Sequence, residues 1–166
     1  MKEMQASSAC RLLIKRFEGF RSKAYKPKVT TVVNGKKVQV ESKEKYYTIG
    51  WGHSGPDVKA TDTVSYESAE PLLTADLKTC ATALNSLCRE TNTALTQNQF
   101  DALISFSYNT GVHALSNSTL WKYLEVGKVK EAAEQFDRWV YASGVKSSAL
   151  VSRRAQERKL FETIDE

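Results

Sequence analysis

The chain has 166 residues, 41% of them hydrophobic and 26% charged, which is enough apolar material for one compact core and excludes a disordered chain. Its formal charge of +5 suits an anionic partner, but the basic residues are scattered, with only short clusters such as Lys15-Arg16 and Arg153-Arg154, and nucleic-acid motifs are absent. No apolar run is long enough to span a bilayer, and Lys15 and Arg16 interrupt the N-terminal stretch before it could act as a signal peptide or anchor, so the expectation is cytoplasmic synthesis without membrane insertion.

The first element is an amphipathic helix capped by Ser7 or Ser8, with Leu13, Phe17 and Phe20 as its apolar face and Glu18 in its last turn. A carboxylate at a helix C-terminus meets the negative end of the macrodipole, and aromatic neighbours would desolvate it; both favour a proton on Glu18. An isolated glutamate at such a position is ordinarily a solvated helix end.

Residues 28–41 are expected to form a β-hairpin, because Asn34-Gly35 supplies the two positive-φ positions of a type I′ turn. The turn pairs Val33 with Lys36 and Val29 with Val40, and returns Glu41 opposite Lys28. The segment YYTIGWGH, 46–53, alternates like a strand, with Thr48 inside it, Gly50 and Gly52 allowing close approach, and His53 at its end.

Helices follow. One runs near Ser68 to Cys88, starting or kinked at Pro71; the next opens on a Thr96/Gln99 capping box and ends before Gly111. Shorter ones are expected from about Thr119 to Val126 and from Val129 to Tyr141, stopped by Gly127 and Gly144, and a last one from about Ser148 to Thr163. Cys10, Cys80 and Cys88 are an odd set without metal-ligand spacing and read as reduced thiols, with a single disulfide left open.

Glu-Gly at 18–19, Ala-Tyr at 24–25 and Thr-Ile-Gly-x-Gly-His at 48–53, in that order, resemble the N-terminal motif of phage-type lysozymes, the endolysins of glycoside hydrolase family 24. LTQNQFDALISFSYNTG at 95–111, STLWKYL at 118–124, RWVYASG at 138–144 and ALVSRRAQERKLF at 149–161 are similar to that family's C-terminal part. The resemblance implies an α+β, mainly helical, lysozyme-like two-lobed fold with a small antiparallel sheet carrying an extra β-hairpin. It implies a single domain over 1–166, with a β-containing lobe at about 20–65 and a helical lobe at about 66–166 packed with the N-terminal helix.

The implied activity is hydrolysis of the β-1,4 bond between N-acetylmuramic acid and N-acetylglucosamine in peptidoglycan glycan strands, with inversion, by a monomer needing no cofactor or metal. Glu18 is then the acid and Thr48 holds the water. The family's second carboxylate, an aspartate soon after Ala-Tyr, is replaced here by Lys26-Pro27, which leaves Glu44, with Glu41 behind it, as the substitute. The resemblance places Tyr46, His53, Tyr108 and Asn109 against substrate, lets Trp51 stack on a sugar, and sets Arg153 and Arg154 behind the acid. It also implies action at the bacterial wall after holin-type or other release, as a phage lysin or a delivered effector. The departures leave two rivals: a wall-binding module with impaired catalysis, and a hydrolase of other acetylated glycans.

Overall fold

The computed structural model describes residues 2–164. Helix α1 spans Ser8–Glu18, with the Ser7 hydroxyl accepting from the Cys10 amide at its start. Ser7 is itself tied to α3 (Gln97–Thr110), its amide donating to Asp101 Oδ1 at 3.0 Å, so the cap also docks the helix. The buried face is Cys10 and Ile14; Leu13 and Phe17 are only half covered. Phe20 does not belong to it, because Gly19 adopts φ 65° and ends the helix directly after Glu18. Phe20 turns instead onto Trp51 and Tyr66, at ring-centroid distances of 5.1 and 4.2 Å.

Strands β1 (Arg21–Tyr25), β4 (Thr48–Gly50) and β5 (His53–Ser54) make an antiparallel sheet in the order β1-β4-β5. Residues 46–53 are thus not one strand but a strand and a tight reversal, with Gly50 at φ 64° and Gly52 at φ 85°. Between β1 and β4 the chain forms β2 (Lys28–Val33) and β3 (Lys36–Glu41), whose register is the expected one: Val33 opposite Lys36, Val29 opposite Val40, Lys28 opposite Glu41. Asn34 and Gly35, at φ 50° and 75°, close the turn. This ribbon does not lengthen the main sheet. It is a separate two-stranded sheet, broken from β1 at Pro27, which has no amide hydrogen to continue a ladder and only accepts from Ser42 N at 2.7 Å.

Helix α2 spans Tyr66–Thr91 and begins before Pro71 and before the expected Ser68, because Ser65 and Ser68 form a capping box. Helix α3 has the expected Thr96/Gln99 box and is buried on most sides, with Phe100, Leu103, Ile104 and Phe106 fully covered. A short helix, α4 (Val112–Ser116), follows at once, then α5 (Thr119–Glu125) and α6 (Val129–Gln135). Helix α6 stops well short of Tyr141, since Phe136 and Trp139 turn inward to meet Phe106 edge-on at 5.7 and 5.1 Å. A two-residue hairpin of β6 (Tyr141–Ala142) and β7 (Val145–Lys146), turning on Ser143 and Gly144, leads into α7 (Ser148–Glu162). Helices α3 and α7 lie against each other, and that contact carries the site. The three cysteines are free thiols.

Candidate active site

Glu18 is the last residue of α1, its side chain 21% exposed. Gly52, in the turn between β4 and β5, lies against it: a methyl group built on Gly52 would come within 2.8 Å of Glu18 Oε2. A glycine is therefore required there twice over, for its positive φ and for room beside the carboxylate. The other oxygen, Oε1, accepts from Arg153 Nη1 at 2.6 Å. Arg153 also donates to Glu157 Oε1, through Nε at 3.1 Å, and to the Ser105 carbonyl, through Nη2 at 3.0 Å.

Glu157 is wholly buried and also accepts from Ser105 Oγ at 2.7 Å. Its Oε2 faces Arg154 Nη1 at 3.2 Å, and Arg154 in turn donates to Asn109 Oδ1 and lies over the Phe106 ring. Burial raises the Glu157 pKa and the two arginines pull it back; burial likewise pushes Arg154 down to about 10, which leaves it charged at neutral pH. Two carboxylates and two guanidiniums thus form a balanced array, in which Arg153 touches Glu18 and Arg154 acts one step behind. The i, i+3 and i, i+4 spacing of Arg153, Arg154 and Glu157 on one helix face was the sequence signal for it.

Thr48, on β4, is 5% exposed and stands opposite Tyr25. Its hydroxyl makes no hydrogen bond among the described residues. Burial raises the Tyr25 pKa, Arg21 offsets this, and the negative charges of Glu18 and Glu44 both add to the rise. Glu44 is exposed, in the loop before β4, and its carboxylate has no hydrogen bond or ion pair among the described residues. Its backbone is pinned instead, by Lys26 Nζ donating to the carbonyls of Glu44 and Lys45 at 2.5 and 3.0 Å. Nothing in the sequence signalled that role for Lys26. Tyr46 is exposed, with Lys45 near its ring. Trp51, expected as a sugar platform, is only 6% exposed and is enclosed by Phe20, Tyr66 and the Lys15 ammonium, so it belongs to the core.

His53 and Tyr108 are placed differently from the expectation of substrate contact. His53 Nδ1 lies 2.9 and 3.0 Å from the Asp76 oxygens and Nε2 lies 2.8 Å from Asp57 Oδ2, so both ring nitrogens are occupied. Burial disfavours the charged ring, but the hydrogen bonds to Asp57 and Asp76 outweigh it and the His53 pKa is raised. Tyr108 donates to the Trp51 carbonyl at 2.7 Å and sits 3.4 Å from Asp76 Oδ2. These residues strap the turn that carries Gly52 to α2 and α3. Asp76 is 23 residues from His53 in the chain, so no local pattern announced it. Asn109 is exposed and accepts a hydrogen bond from Arg154 Nη2.

A helix-rich α+β fold with a carboxylate at the end of its first helix, backed by an arginine from its last, defines a lysozyme-like domain. The phage lysozyme family profile matches residues 15–157. The chain is 44% identical over 160 residues to the endolysin of Bacillus phage B103, covering 96% of this chain and 55% of that protein. Among solved structures, the muramidase domain of SpmX from Asticaccaulis excentricus superposes with a TM-score of 0.78 at 35% identity, covering 96% of this chain and 99% of that one. The endolysin from Escherichia coli O157:H7 phage FAHEc1 gives 0.77 at 30% identity, covering 97% and 95%. This chain belongs to the phage lysozyme family. It spans about half the length of the Bacillus phage endolysins it matches.

Proposed function

We propose that this chain is a peptidoglycan hydrolase of the muramidase type, cutting the β-1,4 bond between N-acetylmuramic acid and N-acetylglucosamine. The observation that carries the reading is the pose of Glu18, with one oxygen held by Arg153 and the other beside Gly52. The names of the relatives, endolysin and muramidase, support the same chemistry. The bacterial wall is then its place of action, and a β-containing lobe at about residues 20–65 and a helical lobe at about 66–166, packed with the N-terminal helix, make a single domain.

Glycoside hydrolysis needs a proton on the leaving oxygen and, for inversion, a water on the opposite face of the sugar. Glu18 Oε2, the oxygen that Arg153 does not hold, delivers the proton. Arg153 keeps the carboxyl in one rotamer and lowers the cost of the negative charge left after transfer. The free hydroxyl of Thr48 holds the water, and Glu44, exposed in the loop just before that strand, takes its proton as the bond to the anomeric carbon forms. His53 and Tyr108 act by positioning the Gly52 turn, while Tyr46 and Asn109 are the exposed groups for the glycan.

Wild type, Glu18→Gln and Glu44→Gln proteins incubated with isolated peptidoglycan test this by release of reducing ends, with NMR of the first anomer formed as the measure of inversion. Wild-type release that disappears in Glu18→Gln supports the reading. Equal release by Glu18→Gln would remove Glu18 from the mechanism.

A further inference from the structure

Between the ribbon and β4 the chain crosses residues 42–47 outside any strand, and Glu44 sits in the middle of that crossing. A group that takes a proton from water must stand within about 3 Å of it, and a loop residue has no strand ladder to keep it there. Something else has to fix residue 44 relative to Thr48.

Lys26 is placed to do so. It directly follows Tyr25, the β1 residue paired with Thr48. From there its half-buried side chain crosses to the loop, where Nζ donates to the Glu44 carbonyl at 2.5 Å and to the Lys45 carbonyl at 3.0 Å. The same ammonium stands 5.0 Å from the centre of the Tyr47 ring, and Tyr47, the residue before Thr48, is itself tied to β5 by Ser54 Oγ donating to its carbonyl at 3.1 Å. The near end of the loop is held on the neighbouring residue: the Ser42 amide donates to the Pro27 carbonyl at 2.7 Å, and the Glu44 amide to Ser42 Oγ at 3.4 Å. One dipeptide, Lys26-Pro27, therefore anchors both halves of the loop one step beyond the Tyr25–Thr48 pair.

The kind of contact matters as much as its reach. Hydrogen bonds from an ammonium are charge-assisted and hold better than neutral ones. Both go to main-chain carbonyls, and the Glu44 carboxylate has no hydrogen bond or ion pair among the described residues. Residue 44 is thus fixed through its backbone while its carboxylate stays free to accept a proton. We propose that Lys26 is a positioning residue for the reaction: its ammonium clasps the 42–47 loop and so carries Glu44 beside Thr48. The segment that lacks the family's aspartate supplies the latch for its replacement. The proposal rests on the muramidase reading and on Glu44 as the group that takes the proton.

The test measures the maximal rate of reducing-end release and the half-saturating amount of peptidoglycan for wild type, Lys26→Met, Lys26→Arg, Lys28→Met, Glu44→Gln and the double variant Lys26→Met/Glu44→Gln, each with its unfolding temperature. Lys26→Met is expected to lower the maximal rate about tenfold, the cost of a shift of roughly half an ångström, with half-saturation within about twofold of wild type. Lys26→Arg, which keeps the donors, recovers most of the rate. Lys28→Met removes an exposed lysine that has no hydrogen bond among the described residues; it keeps the wild-type rate and separates the clasp from a general loss of positive charge. In the Glu44→Gln background, Lys26→Met costs less than about twofold, because the group it positions is already gone. If Glu44→Gln releases too little to compare, a rate loss in Lys26→Met at unchanged half-saturation, recovered in Lys26→Arg, supports the latch, and a raised half-saturating amount overturns it. Lys26→Met within about twofold of wild type, an equal loss in Lys28→Met, or a tenfold loss that persists beside Glu44→Gln overturns the latch and leaves Glu44 standing. Glu44→Gln at the wild-type rate removes Glu44 and the latch together, and absence of release by wild type overturns the muramidase reading with both.

Discussion

Replacing Gly52 by alanine separates the geometry of Glu18 from its proposed chemistry. The added methyl would sit 2.8 Å from Glu18 Oε2, 3.2 Å from Cδ and 3.4 Å from Cγ. Van der Waals contact between carbon and oxygen needs roughly 3.2 Å or more, so the carboxylate has to retreat by several tenths of an ångström. It cannot swing away freely, because Arg153 Nη1 holds Oε1 at 2.6 Å. The backbone adds its own cost: φ at residue 52 is 85°, and an L-residue with a Cβ there is strained by about 1–2 kcal/mol. On a chain of this length that lowers the unfolding temperature by roughly 2–8 °C. A misplacement of 1 Å costs about a hundredfold in rate, so a retreat of roughly 0.4 Å costs about tenfold. Gly52→Ala is therefore expected to stay folded and to lose about one order of magnitude in reducing-end release, with glycan binding retained. Release within twofold of wild type, in a folded protein, would refute the claim that Glu18 is held in its working pose from the Gly52 side.

The His53 cluster makes stability depend on pH. A histidine whose folded pKa is raised above its ordinary 6.5 contributes stability that is complete below that value and is lost as pH rises through the higher folded value. With the His53 side chain 14% exposed and that of Asp76 27%, the charged hydrogen bonds are worth about 2 kcal/mol. Wild type should thus unfold roughly 4–8 °C above His53→Asn at pH 5.5, with the gap closing above neutrality by calorimetry; a gap that widens with pH contradicts the assignment. Arg153→Met leaves Glu157, fully buried, without one of its two guanidinium partners and should cost about 3–5 kcal/mol in denaturant unfolding, while Arg153→Lys recovers part of it. Loss below 1 kcal/mol in Arg153→Met would mean that the array is not electrostatically coupled. Gly35→Val opposes a φ of 75° in the ribbon turn and should speed hydrogen exchange across residues 28–41 while the calorimetric unfolding temperature moves by less than about 2 °C, since the ribbon is a separate sheet.

Much of this protein was legible wherever a structural decision is made within about four residues. Asn34-Gly35 specified both the turn and the register of its strands, because two adjacent positive-φ residues leave one hairpin geometry. Thr96 and Gln99 announced α3. The same local rules misplaced the start of α2, where the Ser65/Ser68 box outranked Pro71 as a signal, and the end of α6, where burial of Phe136 and Trp139 overrode helical periodicity.

What only the tertiary structure decided was who meets whom. Arg153 reaches Glu18 across 135 residues, His53 finds Asp76 across 23 and Tyr108 meets the Trp51 carbonyl across 57, and none of these pairs shares an element whose periodicity could align them. Sequence determined the candidates for acid and water-holder, and the ribbon with its register. Packing of α7 against α3, and closure of a glycine turn onto the end of α1, determined that Glu18 is clamped by Arg153 and not by Arg154, because side-chain partners far apart in sequence are chosen by how whole elements bury their apolar faces.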